Sequence, residues 1–484
     1  MKNSHEQTDT LRSRTRTVAR NSLFLFGFQI FTKLLLLVSA ILLANHYGTA
    51  QYGLYNYGFA FAALFLPAAD FGMEMFFLKE VSRPDAPMKA EATAFLFAGK
   101  SVLVIAVGLL LAVAAGFTDS FFTAPWHVVT AAGIATLVRG VGQSLAISFR
   151  GVNRADREAL ILSAGRTLDF LAVALCVALD LPLLTLLHLL ALSAAAGTAF
   201  TYAAVHSLFA VPRFTRLAET GRYMIKGSLP FALTMLMTNI YFNADTIMVA
   251  KFIGNDAAGI YRAAYNLIMP LMMISAAVAG AVFPFVSRHH EQEWNAVVPV
   301  LEKSIAVLLS IGIPLAAFVS VSAREIIALL YRAEFATASP ALQILIWFVP
   351  VVYMTNLFGL TLGAMDRQRT VMMIGIFNAV FNIVSNLVLI PLMGFMGASF
   401  TTVGTELLGL VLLSMQMRKH MRPLFPLLGL FRICGAALLA LPVFFLPLPL
   451  PVIVKFLAAG VCYLIFLFAL GGIRKDDLRF LLKG

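Results

Sequence analysis

Runs of about 20 apolar residues, the length a helix needs to cross the hydrocarbon of a bilayer, recur along this chain from residue 21 to residue 473. The breaks between them are mostly too short to hold a separate soluble domain. Apolar runs set against charged or Gly/Pro breaks place spans near 21–44, 52–78, 92–116, 127–149, 158–180, 183–209, 222–250 and 256–286. Six more lie near 295–320, 340–365, 370–392, 397–417, 424–447 and 450–472, so the reading is an all-α membrane protein of about 14 transmembrane helices.

Only 12% of the 484 residues are charged and 60% are hydrophobic, against about 25% charged in ordinary soluble domains. A water-soluble enzyme is thereby excluded, and the 41 phenylalanines without low-complexity repeats exclude a disordered chain. The net charge of +12 does not point to nucleic acid, because the basic residues sit in short loops and do not gather on one water-facing surface. Cys176, Cys434 and Cys462 lie inside apolar runs with no paired spacing, and read as packing residues. No spacing suits a metal, and no cofactor is implied. The basic tail, residues 1–20, carries Arg12, Arg14, Arg16 and Arg20, and the run Leu23–Ala44 behind it exceeds the core of a signal peptide. It should stay attached as the first span.

Charge asymmetry tests the count independently, since Lys and Arg collect on cytoplasmic loops. With the tail inside, the alternate turns carry Lys79, Arg83 and Lys89, then Arg150, Arg154 and Arg157, then Arg213, Arg216, Arg222 and Lys226. Arg288, Arg367, Arg369, Arg418, Lys419 and Arg422 follow, and the chain ends on Arg474, Lys475, Arg479 and Lys483. Only Lys251, Arg324 and Arg332 fall on the opposite side, which places both termini in the cytoplasm. The longest outward turn, about 321–339, reads either as a small interfacial helix or as an extension of the neighbouring span.

An internal repeat suggests the architecture. Ala44, Gly48, Gly53, Leu54 and Tyr55 recur 206 residues later as Ala250, Gly254, Gly259, Ile260 and Tyr261, and Val81-Ser82-Arg83 recurs as Val286-Ser287-Arg288. Both copies fall at equivalent places in a block of six helices. Six is even, so two such blocks enter the membrane alike and can be related by a pseudo-two-fold along the membrane normal. The expected layout is an N-lobe at 21–209, a linker at 210–221, a C-lobe at 222–417, and two extra helices with a cytoplasmic end over 418–484. Lobes flanking a central cavity suit alternating access.

A charge at a helix centre costs about 2.5–3.5 kcal/mol on insertion scales, so each needs a partner or a wet cavity. Lys33, Arg139 and Arg166 are the candidate cavity cations, with Lys100 at similar depth. Guanidinium in particular can grip a phosphate through paired hydrogen bonds. Arg166 and Asp169, three apart, can neutralise each other. Asp70 and Glu74, four apart, stack like charges and need outside cations, which Lys33 or Arg139 could supply. Glu406 stands alone mid-span, as a proton-coupling group or as a hydrogen-bonded acid. Asp245 and Arg262, at one depth in a hairpin, read as a structural pair. Lys303, Arg432 and Lys455 lie near span ends and can snorkel, and His188 and His206 read as packing or interfacial residues.

Three stretches carry a family resemblance: Arg20-Asn21 through the YGTAQYGLY turn to AADFG at 68–72; NADTIMVAKFIGNDAAGIYRAAYNL at 243–267 with VFPFVSR at 282–288; and LLYRAEFATASPALQIL at 329–345 leading through LGAMDRQR at 362–369 to FNIVSNLVLIPLMGFMGASFTTVGTELL at 381–408. Together they resemble the Wzx-type polysaccharide or oligosaccharide flippases of the multidrug/oligosaccharidyl-lipid/polysaccharide exporter superfamily. The resemblance implies two lobes and transport of an undecaprenyl-pyrophosphate-linked glycan from the inner to the outer leaflet of the bacterial plasma membrane. It also implies membrane lipids as partners, H+ or Na+ as coupling ion, and contact with other polysaccharide-assembly membrane proteins. The competing readings are a small-molecule or drug exporter, whose cavity should be more acidic and aromatic, and a membrane glycan polymerase or ligase. The latter needs a larger outward catalytic segment, so no enzymatic activity is expected.

Overall fold

The computed structural model describes residues 2–81, 89–117, 125–151, 154–206, 217–291, 293–421, 427–446 and 450–472. The expected linker at 210–221 falls largely outside them, as do Ser82, Arg83, Arg422 and the last cytoplasmic stretch from residue 473. Among the described residues there is no strand, because a backbone in hydrocarbon must satisfy its own polar groups and a helix does so within one segment.

In chain order the helices are α1 (Lys2–Ala63), α2 (Leu66–Asp70), α3 (Met73–Val81), α4 (Lys89–Gly116), α5 (Trp126–Gly151), α6 (Ala155–Ala178), α7 (Leu183–His206) and α8 (Leu217–Phe252). Then come α9 (Asn255–Ile268), α10 (Met272–His289), α11 (Trp294–Leu330), α12 (Ala338–Leu345), α13 (Phe348–Ala364), α14 (Gln368–Met393), α15 (Phe395–Met417), α16 (Leu427–Ala440) and α17 (Val452–Ala469). Eleven stretches of described chain are long and apolar enough to span, and the first, Gly27–Asp70, turns at Gly48 and so holds parts of two passes. The apolar half of α4 and the 36-residue α8 are further long helices among the described residues, in keeping with an all-α membrane fold.

Local geometry repeats where the sequence does. Gly48 (φ 73°, ψ 179°) and Gly254 (φ 124°, ψ 170°) occupy a region of backbone space that a Cβ all but forbids. Each marks the joint between one helical run and the next. The pass that follows also breaks in both copies, at Leu64–Phe65 in the first and in the 3-10 turn Met269–Leu271 in the second. An offset of 206 places Leu64 opposite Pro270, so the two copies share their joints.

Contacts divide the chain into two units, Met1–Lys251 and Phe252–Gly484. In the first, α5 packs on α7 and α1 on α6, around the fully buried Tyr52, Tyr57, Ala132, Leu186 and Leu187. Helix α8 groups with this unit, with Gly227 against the ring of Phe76. In the second, α10, α11 and α13 pack around Ile305, Leu308, Tyr353 and Phe358. Helix α4 has the polarity of a lipid-bathed element: it exposes Val102, Ile105, Leu109 and Val113 while Val107, Leu111 and Ala115 face protein.

The outward turn near 321–339 resolves in favour of extension. Helix α11 runs unbroken for 37 residues to Leu330, about 55 Å at 1.5 Å per residue, and a short 3-10 turn at Ala333–Phe335 closes it. Its overhang is held by Lys455 of α17, which reaches Glu325 at 2.9 Å and so has a role beyond snorkelling.

Gly48→Ala and Gly254→Ala should each cost about 1–3 kcal/mol from the forced conformation. Thermal unfolding of detergent-purified protein should report it as a lowered midpoint. Gly27→Ala, on a helix with open space around it, should not lower the midpoint, since Ala is the better helix former.

Candidate functional site

Four helices of the first unit bring polar side chains to one place. Helix α5 contributes Arg139 and Gln143, α6 contributes Arg166 and Asp169, α7 contributes Ser193 and Thr198, and α1 contributes Thr32. The spacings of four on α5 and three on α6 put each of those pairs on one helical face. Small residues at Gly142, Gly165 and Gly197 leave the helices room to enclose a cavity of about 190 Å³.

Asp169 organises this cavity. Its Oδ1 accepts hydrogen bonds from Arg139 Nη2 at 2.7 Å and from Ser193 Oγ at 2.8 Å, while Oδ2 accepts from Arg166 Nη1 at 3.4 Å. The expected Arg166–Asp169 pair is therefore present, but the shorter contact comes from Arg139 on the neighbouring helix. Two guanidiniums facing one carboxylate leave the cavity with an excess positive charge, in a setting where charge interactions are stronger than in water. Lys33 follows Thr32 on α1, with an exposed side chain that makes no hydrogen bond or ion pair among the described residues. It lies within electrostatic range of Arg166 and raises the positive count further.

The second charged cluster lies between α2, α3, α4 and α5. The second pass breaks at Phe71 (φ 52°) and Gly72 (φ 71°), so Asp70 ends one short helix and Glu74 begins the next. Lys100 of α4 donates to Asp70 Oδ1 at 2.8 Å and to Glu74 Oε1 at 2.6 Å, and also to Ser144 Oγ of α5. Asp70 and Lys100 are each 3% exposed, which makes this an ion cluster inside protein. The cation expected from Lys33 or Arg139 is thus Lys100: α4 packs on α2 and α3, whereas Arg139 is committed to Asp169.

Glu406 of α15, expected to stand alone, accepts a hydrogen bond from the Thr355 hydroxyl of α13. Around it runs a buried polar seam in which Asn386 donates to Asn382 at 3.0 Å and Tyr261 meets Thr402 at 3.2 Å. Asp245 is buried in the first unit, where its Oδ1 accepts the Thr246 backbone N–H at 2.7 Å. Arg262, in the second unit, places its guanidinium 5.4 Å from the centre of the Tyr265 ring.

Sequence reasoning passed over one strong pair. Arg150, near the end of α5, forks onto Glu158, in the first turn of α6, through contacts of 2.9 and 2.5 Å. Their nearly equal distance from the turn was a usable signal, the same depth argument applied to Asp245 and Arg262. Among the described residues no three His, Cys, Asp or Glu side chains gather as a metal site.

Comparison with known proteins places this arrangement. A family model described as polysaccharide biosynthesis protein matches residues 18–290, and one described as lipid II flippase MurJ matches residues 160–470. A relative from Haloferax volcanii, named a probable low-salt glycan biosynthesis flippase (Agl15), is 26% identical over 159 residues. That alignment covers 33% of this chain and 34% of the relative, so the chain matches about a third of that curated protein's length. Among solved structures, lipid II flippase MurJ in an inward closed conformation superposes with a TM-score of 0.75 at 14% identity, covering 91% of this chain and 97% of that one. An inward-facing multidrug resistance transporter of the MATE family gives 0.62 at 14% identity, covering 82% and 98%. Likeness at that identity is a likeness of fold.

Lys100→Met should destabilise the protein strongly, by about 3–5 kcal/mol, because it strands two carboxylates in the interior. Membrane abundance and thermal midpoint should both fall. Lys33→Met breaks no ion pair and should change neither.

Proposed function

The chain belongs to the polysaccharide biosynthesis protein family and to the lipid II flippase MurJ family, both within the exporter superfamily that the sequence resembles, and from that premise we propose that it is a flippase. Its cargo is a polyprenyl-pyrophosphate-linked oligosaccharide, carried from the cytoplasmic to the outer leaflet of a bacterial plasma membrane. Sugars and two phosphates cannot cross hydrocarbon unaided, so they need a wet, positively lined path while the polyprenyl tail stays in lipid. The observation that carries the reading is the cavity where Arg139 and Arg166 share a single carboxylate and Lys33 stands nearby.

In this reading Asp169 preorganises the two guanidiniums, so little side-chain entropy is lost when a pyrophosphate arrives. The anion competes with Asp169 for donors already aimed into the cavity, and Ser193, Thr32 and Gln143 supply neutral hydrogen bonds beside them. Lobes at 21–209 and 222–417, related by the repeat, alternate access to the two sides. Both termini are cytoplasmic, in keeping with the Lys and Arg asymmetry. H+ or Na+ drives the cycle. Other polysaccharide-assembly proteins of the membrane receive the cargo.

The excess positive charge argues against an exporter of organic cations. Against a polymerase or ligase stands the outward turn, which is taken up by the end of α11 and a 3-10 turn and offers no catalytic segment among the described residues. The similar proteins named above are flippases, one of them named as probable, and a transporter, in keeping with a protein that makes and breaks no covalent bond.

Deleting the gene should cause a lipid-linked glycan to accumulate on the cytoplasmic leaflet, and its absence there would remove the assignment. Arg139→Gln should slow export by about ten- to a hundredfold, the worth of one hydrogen bond to a charged group. Arg139→Lys should restore only part of the rate, since an ammonium cannot fork onto phosphate. Lys33→Glu should impair export at unchanged membrane abundance, and normal export by that variant would take Lys33 out of the mechanism.

A further inference from the structure

The repeated motif ends in a tyrosine, and the two copies treat it differently. Tyr261 is fully buried in the second unit, its hydroxyl meeting Thr402 at 3.2 Å and its ring stacked on that of Tyr265. Tyr55, the counterpart in the first unit, is half-buried, and its hydroxyl makes no hydrogen bond among the described residues. An idle O–H is costly in hydrocarbon, so this one belongs beside water or a polar ligand.

Other rings accompany it. Tyr52, Tyr55 and Phe59, spaced three and four apart, share one face of α1. The Tyr52 ring lies 8° from parallel to that of Tyr55 with 6.3 Å between centres, and the Phe59 ring is 4.8 Å from it. Tyr52 is wholly buried and fixes the row at one end, whereas Tyr55 and Phe59 are half-buried.

The row is level with the cation cavity. The Tyr47 hydroxyl donates to the Leu181 carbonyl at 2.8 Å, which pins the Gly48 joint to the turn between α6 and α7. From that pinned end Tyr55 lies seven residues past Gly48, and Asp169 lies nine residues before Ala178, the end of α6. At 1.5 Å per residue these are depths of about 10 Å and about 14 Å, less than one helical turn apart. Tyr55 is accordingly within electrostatic range of Arg139, Asp169 and Arg166. It is not among the residues that enclose them, and so stands beside the cavity, outside its wall.

We propose that Tyr55, backed by Tyr52 and flanked by Phe59, is a sugar platform: it stacks against the pyranose bonded to the pyrophosphate, while the guanidiniums hold the pyrophosphate itself. The inference rests on the flippase reading and adds the part of the cargo that the site selects. A pyranose is amphipathic, as tyrosine is. Its axial C–H bonds carry partial positive charge and suit the negative face of an aromatic ring, and its hydroxyls suit the unused phenol O–H. A polyprenyl pyrophosphate without sugar engages the cations alone. The platform therefore separates a loaded carrier from an empty one, a distinction that charge by itself does not draw.

The test uses the full chain reconstituted in phosphatidylethanolamine/phosphatidylglycerol vesicles and two fluorescent probes, a polyprenyl pyrophosphate bearing a short glycan and the same carrier bearing none. Unmodified protein should bind the glycan-bearing probe about two- to tenfold more tightly than the bare one, the worth of one aromatic contact. Tyr55→Leu should erase that preference by weakening the glycan-bearing probe alone, and Tyr55→Phe, which keeps the ring, should retain most of it. Unmodified protein that binds the two probes alike, or binds neither, overturns the platform. So does a Tyr55→Leu variant that keeps the preference or weakens both probes equally.

Should Tyr55→Leu fail to fold, a probe carrying a diazirine on its first sugar decides on unmodified protein. Illumination should crosslink it to the peptide that holds Tyr55, and labels confined to other peptides overturn the platform. Unmodified protein that binds the glycan-bearing probe but never moves it across the bilayer overturns the flippase reading, while the binding preference and the crosslink still decide the sugar contact.

Discussion

A charge inside a bilayer must be neutralised by something the protein itself brings, and this requirement arranges the interior of the first unit. Two sets of mid-span carboxylates there are met by a cation from another helix: Asp169 by Arg139, and Asp70 with Glu74 by Lys100. These contacts tie α2 and α3 to α4, and α5 to α6, in pairings that apolar packing alone would leave free to slide. Lipid-facing Leu and Val are interchangeable. An ion pair has one register.

The same constraint separates two kinds of site. Where acids outnumber bases, as beside Lys100, the one cation holds two helix segments to a third. Where bases outnumber acids, as around Asp169, the surplus invites an anion. The two clusters share α5, which carries Arg139 toward one and Ser144 toward the other. A single rigid helix thus touches both the cavity and the ion cluster, and a shift of α5 is felt at both.

Much of the fold was legible in the sequence because its signals are one-dimensional. Hydrophobic run length gives the passes, and the recurrence of Gly48 as Gly254 marks two joints whose backbone conformation all but excludes other residues. Partners were less legible, because pairing depends on which helices touch. Arg166 and Asp169 could be paired from spacing along one helix, but Arg139, 30 residues from Asp169, could not. Lys100 was visible as a deep cation without an assigned acid, and Glu406 seemed solitary because a threonine hydroxyl on another helix carries no charge to betray it. Arg150 with Glu158 shows the intermediate case, a pair across one tight hairpin that equal distance from the turn would have revealed.

The broken second pass has a bearing on biosynthesis. Asp70 and Glu74 leave the ribosome 30 and 26 residues ahead of the lysine that balances them. A translocon releasing helices singly would deliver two carboxylates to lipid with no counterion in reach. The second pass therefore gains its residence in the membrane only together with the third, and the pair enters as one hairpin.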